Sequence, residues 1–151
     1  MTETVQSASG TVNRTPAIMA LVGGAALILG ALLEWATVIT DVGTLSISGT
    51  DADGEVMLFC GVVIVVLAVL DLALPGPWWW IGVGILGTFA LFAGLIDYFN
   101  VTEGIQEAEG GDVSISAGLY VVLLGAALAL AGALIRERSV RSVTADGPPP
   151  A

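Results

Sequence analysis

The chain has 151 residues, 56% hydrophobic and only 12% charged, with a net charge of −10 and mean hydropathy of +0.92. A soluble domain carries about 25% charged residues, so this composition excludes an ordinary soluble fold and points to an integral membrane protein. The acidic balance excludes nucleic acid as a partner, because phosphate neutralisation needs basic residues, and histidine and lysine are both absent.

Residues 1–15 are small and polar and are expected to be a flexible cytoplasmic tail. The first predicted span, 16–33, is uncharged and reads as a membrane helix rather than a cleaved leader, since no small-x-small cleavage site precedes a soluble chain. The other spans are 56–74, with one charge at Asp71, then 78–96 and 117–135, both uncharged. Nineteen helical residues cover roughly 28 Å, close to a hydrocarbon core of about 30 Å. Helices are required because lipid offers the backbone no partner. The expected architecture for 16–135 is an all-α membrane protein, a four-transmembrane-helix bundle. Residues 136–151, basic and then Pro-rich, are expected to form a second flexible cytoplasmic tail.

The four basic residues set the topology. Arg14 precedes span 1, and Arg136, Arg138 and Arg141 follow span 4. Both termini are therefore expected in the cytoplasm of a bacterial plasma membrane. Glu3, Asp71, Glu137 and Asp146 fall on the same side and balance the arginines. The whole surplus of negative charge then falls outside. Glu34, Asp41, Asp51, Asp53 and Glu55 belong to one outer loop. Asp97, Glu103, Glu107, Glu109 and Asp112 belong to the other. Trp35 and Tyr98 at the outer boundary, and Trp78, Trp79 and Trp80 at the inner one, are expected as membrane-interface anchors.

The two halves of the chain resemble each other. "LLEWATV" (Leu32–Val38) aligns with "LIDYFNV" (Leu95–Val101), and "LSISG" (Leu45–Gly49) with "VSISAG" (Val113–Gly118). Duplication of a helical hairpin would produce this pattern. The segments 44–48 and 113–116 alternate apolar and polar residues and predict two short strands that pair in a small outer sheet, with Leu45, Ile47, Val113 and Ile115 on its buried face. Stripes of small residues mark the helices: Ala17, Ala20, Gly24 and Ala31 in span 1, Gly84, Gly87, Ala90 and Gly94 in span 3, and Gly118, Gly125, Ala129 and Gly132 in span 4. Such stripes let helix backbones approach closely. Span 2 lacks one and is expected to face lipid most.

Candidate chemistry is sparse. "DADG" at 51–54 resembles part of a calcium loop, but aligning Gly54 to the loop glycine leaves Gly49 and Cys60 where ligands are needed. Asp51, Asp53 and Glu55 remain a looser cation candidate. Glu34 and Asp97 form another, as matching acids at the outer ends of spans 1 and 3. Asp71 is positioned to pair with Arg136 or Arg138. Asn100-Val101-Thr102 matches a glycosylation sequon and is expected to be incidental. The single cysteine, Cys60, allows no intramolecular disulfide. No catalytic residues, metal or cofactor are implied, so the chain is read as a non-enzyme.

"LEWATV" followed by "ISGTDADGEV" resembles uncharacterised small four-span membrane proteins of actinobacteria, a similarity that implies the topology and no activity. The gross topology is similar to claudin-like proteins, but the cysteine pair of their outer loop is missing. It is also similar to small multidrug transporters, whose essential glutamate lies in mid-span, whereas Glu34 closes span 1. The expected role is an accessory or envelope-associated component acting through its acidic outer cap, with the lipid bilayer and a membrane-protein partner or homo-oligomer as partners. The alternative is a small cation or drug transporter using the outer-end carboxylates.

Overall fold

The structure, a computed structural model, describes residues 14–40, 43–51, 54–74, 76, 78–107 and 112–145. Along the chain these form α1 (Thr15–Leu32), β1 (Glu34–Thr40), β2 (Gly43–Ser48), a single 3-10 turn (Gly49–Asp51), α2 (Gly54–Ala73), α3 (Trp79–Glu107), β3 (Asp112–Ile115) and α4 (Ala117–Ala145). All four α-helices are long and apolar enough to cross a membrane. The shortest, α1, spans about 27 Å at 1.5 Å per residue.

Two helix boundaries have a local reason. Pro16 is in the first turn of α1, where its missing N–H removes no helical bond. Beyond α2 the Pro75-Gly76-Pro77 link cannot continue a helix. The Trp79 indole N–H donates to the Leu74 carbonyl at 3.0 Å, satisfying an acceptor just past the end of α2. Two helices outrun the expected spans. α3 continues through 97–107, where a loop is expected, and α4 continues through 136–145, where a flexible tail is expected. Falling hydropathy marks where a helix leaves lipid, not where it ends. In 98–107 there is no proline, and Tyr98, Val101 and Ile105 keep a helical spacing.

The helices form a ring in which α1 packs on α2 and α4, and α3 completes it between them. The α1–α4 seam is the tightest. A Cβ built on Gly23 would lie 2.6 Å from both the Gly125 carbonyl and the Ala129 nitrogen, and one on Gly125 would lie 2.8 Å from the Gly23 carbonyl. Gly24 and Gly61 make the same backbone-to-backbone approach between α1 and α2. The small residues expected in spans 1 and 4 thus serve contacts within the chain, where dispersion replaces the hydrophobic effect as the packing force. Leu27, Met57, Ile64, Leu119 and Val122 fill the centre, and among the described residues the core holds no fully buried polar or charged side chain. Phe59, Ile85, Phe92 and Leu124 project outward, an apolar exterior that suits a lipid solvent. α3, rather than α2, is the least covered helix. Its Gly87 and Gly94 touch α4, but one side remains open.

At one end of the bundle lies a three-stranded antiparallel sheet in the order β2-β1-β3. The two expected strands are present, but they do not pair with each other. Both pair with β1, a strand in the stretch expected only as the outer loop after span 1. The aligned halves also differ in structure, since "LLEWATV" turns from helix into strand while "LIDYFNV" stays helical. Only the two SIS segments keep the same form, each a strand leading towards a helix.

Candidate functional site

The sheet cap is the most elaborated part of the molecule, and Trp35 fixes it in place. Glu34 pairs with Ser48 and Ala36 with Ile47, so Trp35 is the extra residue of a bulge. A bulge breaks strict alternation. Here it lets two consecutive side chains, Trp35 and Ala36, both be buried. Trp35 is 2% exposed, and its indole N–H donates to the Gly30 carbonyl at 2.9 Å, near the end of α1. Gly49 and Gly118 flank the ring. A Cβ on Gly49 would lie 2.5 Å from the indole nitrogen, and one on Gly118 would lie 2.8 Å from ring carbon Cδ1. Trp35, expected as an interface anchor, is therefore a wedge inside the protein. The sequence signal for this is the β-branched run Thr37-Val38-Ile39-Thr40 that follows it, which favours a strand over a helix end.

Backbone bonds tie the cap to the helices. The Gly49 N–H donates to Leu33 at 3.0 Å, and the Ser116 N–H to Trp35 at 2.9 Å. The Thr37 and Ser116 hydroxyls are 2.9 Å apart. Facing rows Ala36/Ile47/Ile115 and Val38/Leu45/Val113 share one side of the sheet, because directly paired residues point the same way. The expected apolar face exists, but it is buried only near the bundle. Ala36 is buried, Ile47, Val113 and Ile115 are half-buried, and Leu45 is 63% exposed. β2 is an edge strand, and its first four residues are exposed. β3, on the other edge, touches α3.

The predicted acidic sites are not gathered into one centre. Glu34 is exposed at the start of β1. Asp97 lies within α3 and lines a groove between α2 and α3 of about 220 Å³, together with Val56, Met57, Phe89, Ala93 and Ile96. Asp51 closes the 3-10 turn, Glu55 is exposed in the first turn of α2, and Asp53 lies outside the described residues, as do Asp41 and Glu109. Among the described residues, no three acids, cysteines or histidines come together as a metal would require. Cys60 is a buried free thiol in α2. The sequon lies in α3, with the Thr102 hydroxyl donating to the Phe99 and Tyr98 carbonyls at 2.8 and 3.0 Å.

The opposite end carries the basic residues. Asp71 meets Arg136 at 3.6 Å, an arrangement the sequence anticipates. Arg14 immediately precedes α1, while Arg138 and Arg141 lie in the last part of α4. The tryptophans here divide the work. Trp78 is exposed, Trp79 caps α2, and Trp80 turns towards the bundle end near Asp71. Tyr98, at the sheet end, is half-buried, with edge-on contacts to Tyr120 and Phe99 at 6.3 and 5.9 Å.

Fold and cap together define a four-helix membrane-type bundle closed at one end by a small β-sheet. No protein-family model, no curated protein and no solved structure matches the chain.

Proposed function

We propose that the chain is a non-enzymatic multi-pass protein of a bacterial plasma membrane, with both termini cytoplasmic and the sheet outside. It acts as an accessory or envelope-associated component that docks a partner on its cap. The observation that carries this reading is the outer edge of β2: among the described residues the strand pairs with β1 alone, and it is exposed along Thr44–Ser46, with Leu45 presented beside it. Unpaired edges are templates for strand addition, with main-chain bonds supplying affinity and side chains selectivity. Glu34, Asp41, Asp51, Asp53 and Glu55 bracket β2 in the chain, so the partner offered here is an extended segment carrying basic residues. A second copy of the same chain would bring like charges together.

The test is a photoreactive residue at Ser46, compared with one at Leu124, an exposed position on α4. In native membranes, Ser46 should give a discrete adduct with another protein and Leu124 should not. Adducts of equal yield at both positions, an adduct only with a second copy, or none at Ser46 would each reject the docking edge.

A cation or drug transporter is the second reading, favoured by the carboxylate of Asp97 on an apolar groove that opens between α2 and α3. It requires flux in proteoliposomes that Asp97→Asn removes. A wild-type protein that carries nothing under any imposed gradient ends it.

A further inference from the structure

The end of the bundle opposite the sheet contains a small crevice that neither reading uses. All four helices wall it, with Ala20 from α1, Asp71 from α2, Trp80 from α3, and Ala133 and Arg136 from α4. Its free space is about 10 Å³. Two polar atoms of residues lining it are buried and lack a hydrogen-bonding partner among the described residues, Asp71 Oδ1 and Trp80 Nε1. Arg136 approaches Asp71 Oδ1 at 3.6 Å, close enough for charge attraction but too far for a hydrogen bond. The side chains of Arg136 and Asp71 are only 17% and 11% exposed, so bulk water does not solvate the pair freely. One buried acceptor and one buried donor therefore belong to residues that line the same crevice, and buried polar groups of this kind are normally satisfied.

The chemistry of the walls selects the occupant. An anion would meet the Asp71 carboxylate. A metal ion would meet the Arg136 guanidinium and find only one carboxylate. An apolar molecule would leave both orphaned atoms unsatisfied. A neutral molecule that both donates and accepts fits the balanced charge, and a space of about 10–15 Å³ admits one water. We propose that this crevice is a binding site for a single structural water, which accepts from Trp80 Nε1 and donates to Asp71 Oδ1. The water links α2 to α3, and Arg136 links α2 to α4. Three helices are thereby joined at the end of the bundle opposite the sheet.

The experiment uses the full chain in phosphatidylcholine nanodiscs with ¹⁵N-labelled tryptophan. The Trp80 indole proton should show cross-relaxation with water, with the sign of a water that tumbles with the protein. The exposed Trp78 indole should not show that sign. Asp71→Leu should remove the Trp80 signal. In thermal unfolding, Trp80→Phe, Asp71→Leu and the double variant should be non-additive, the double variant melting no lower than the worse single one. A Trp80 indole proton in wild type that contacts lipid methylenes or a protein carbonyl, or that shows no water contact, overturns the proposal, as do additive shifts. If Asp71→Leu does not fold, the wild-type spectrum still decides.

Discussion

Replacing Trp35 should be the most damaging single change in the cap. Trp35→Ala empties a slot whose walls are the Gly30 carbonyl and the backbones of Gly49 and Gly118. Glycine walls have no side chains to lean into the gap, so the surroundings can relax little. Truncating a large buried aromatic costs about 3–5 kcal/mol, and a site that cannot collapse belongs near the upper end. Trp35→Phe keeps most of the ring but loses the 2.9 Å bond to Gly30, worth about 0.5–1.5 kcal/mol net, together with some volume. The expected order is therefore wild type, then Phe, then Ala. Trp78→Ala provides the comparison, because that side chain is 77% exposed. Unfolding of the purified protein by sodium dodecyl sulfate titration, followed by circular dichroism, reads all three variants. If Trp35→Ala and Trp78→Ala shift the midpoint equally, the wedge reasoning fails.

Other outcomes follow from the seams and from the charge pattern. Gly23→Val should separate α1 from α4, since even a Cβ would fall 2.6 Å from two backbone atoms, and overpacking typically costs about 1–3 kcal/mol; Gly84→Ala, whose new carbon would meet Ala133 Cβ at 3.5 Å, should be tolerated in the same titration. Thr37→Val removes the hydroxyl pair with Ser116 and should cost about 1 kcal/mol while leaving helix content unchanged by circular dichroism. Reporter domains fused at either terminus should read cytoplasmic, and reporters inserted at 41–42 should read external; a cytoplasmic signal from the insertion overturns the orientation drawn from the arginines.

The parts of this fold that can be read from the sequence are those governed by lipid. Spans of 18 or more apolar residues announce their helices because nothing else satisfies a backbone in hydrocarbon. The Gly125-Ala129-Gly132 stripe announces a packing face for a similar reason, and Asp71 with Arg136 is legible from depth alone. What escapes is decided in water or by tertiary contact. β1 is hidden because Glu34–Thr40 follows an apolar run directly, and a hydropathy reading treats its aromatic as an interfacial marker. Trp35 carries the same belt signature as Trp78, yet one is a wedge and the other is exposed. The difference lies in Gly49 and Gly118, 14 and 83 residues away along the chain. Helix α3 beyond Asp97 is hidden because amphipathic helix and polar loop share a composition and differ only in spacing. The acid candidates illustrate the same limit, since Glu34 and Asp97 align in sequence but occupy a strand and a helix.

The connections between helices and sheet bear directly on what the cap can do. Only Leu33 separates α1 from β1, and only Ser116 separates β3 from α4. The strands so attached pair with each other, and the helices so attached share the tightest seam in the bundle. β1, β3, α1 and α4 therefore form one closed unit, with Trp35 inserted at the corner and Ser116 bonded to the Trp35 carbonyl through its backbone N–H and to Thr37 through its hydroxyl. β2 is the outer strand of this unit, and its outer edge is held by the pairing of Val38 with Leu45 and Thr37 with Ser46. An edge carried on such a frame loses little conformational freedom when a strand is added to it, which favours affinity without a large interface. The same frame makes the edge responsive, because a relative tilt of α1 and α4 would have to move β1 and β3, and β2 with them. Binding at the cap and packing at the Gly23–Gly125 seam should therefore be coupled, and Gly23→Val should weaken adduct formation at Ser46 even though the two positions are at different levels of the molecule.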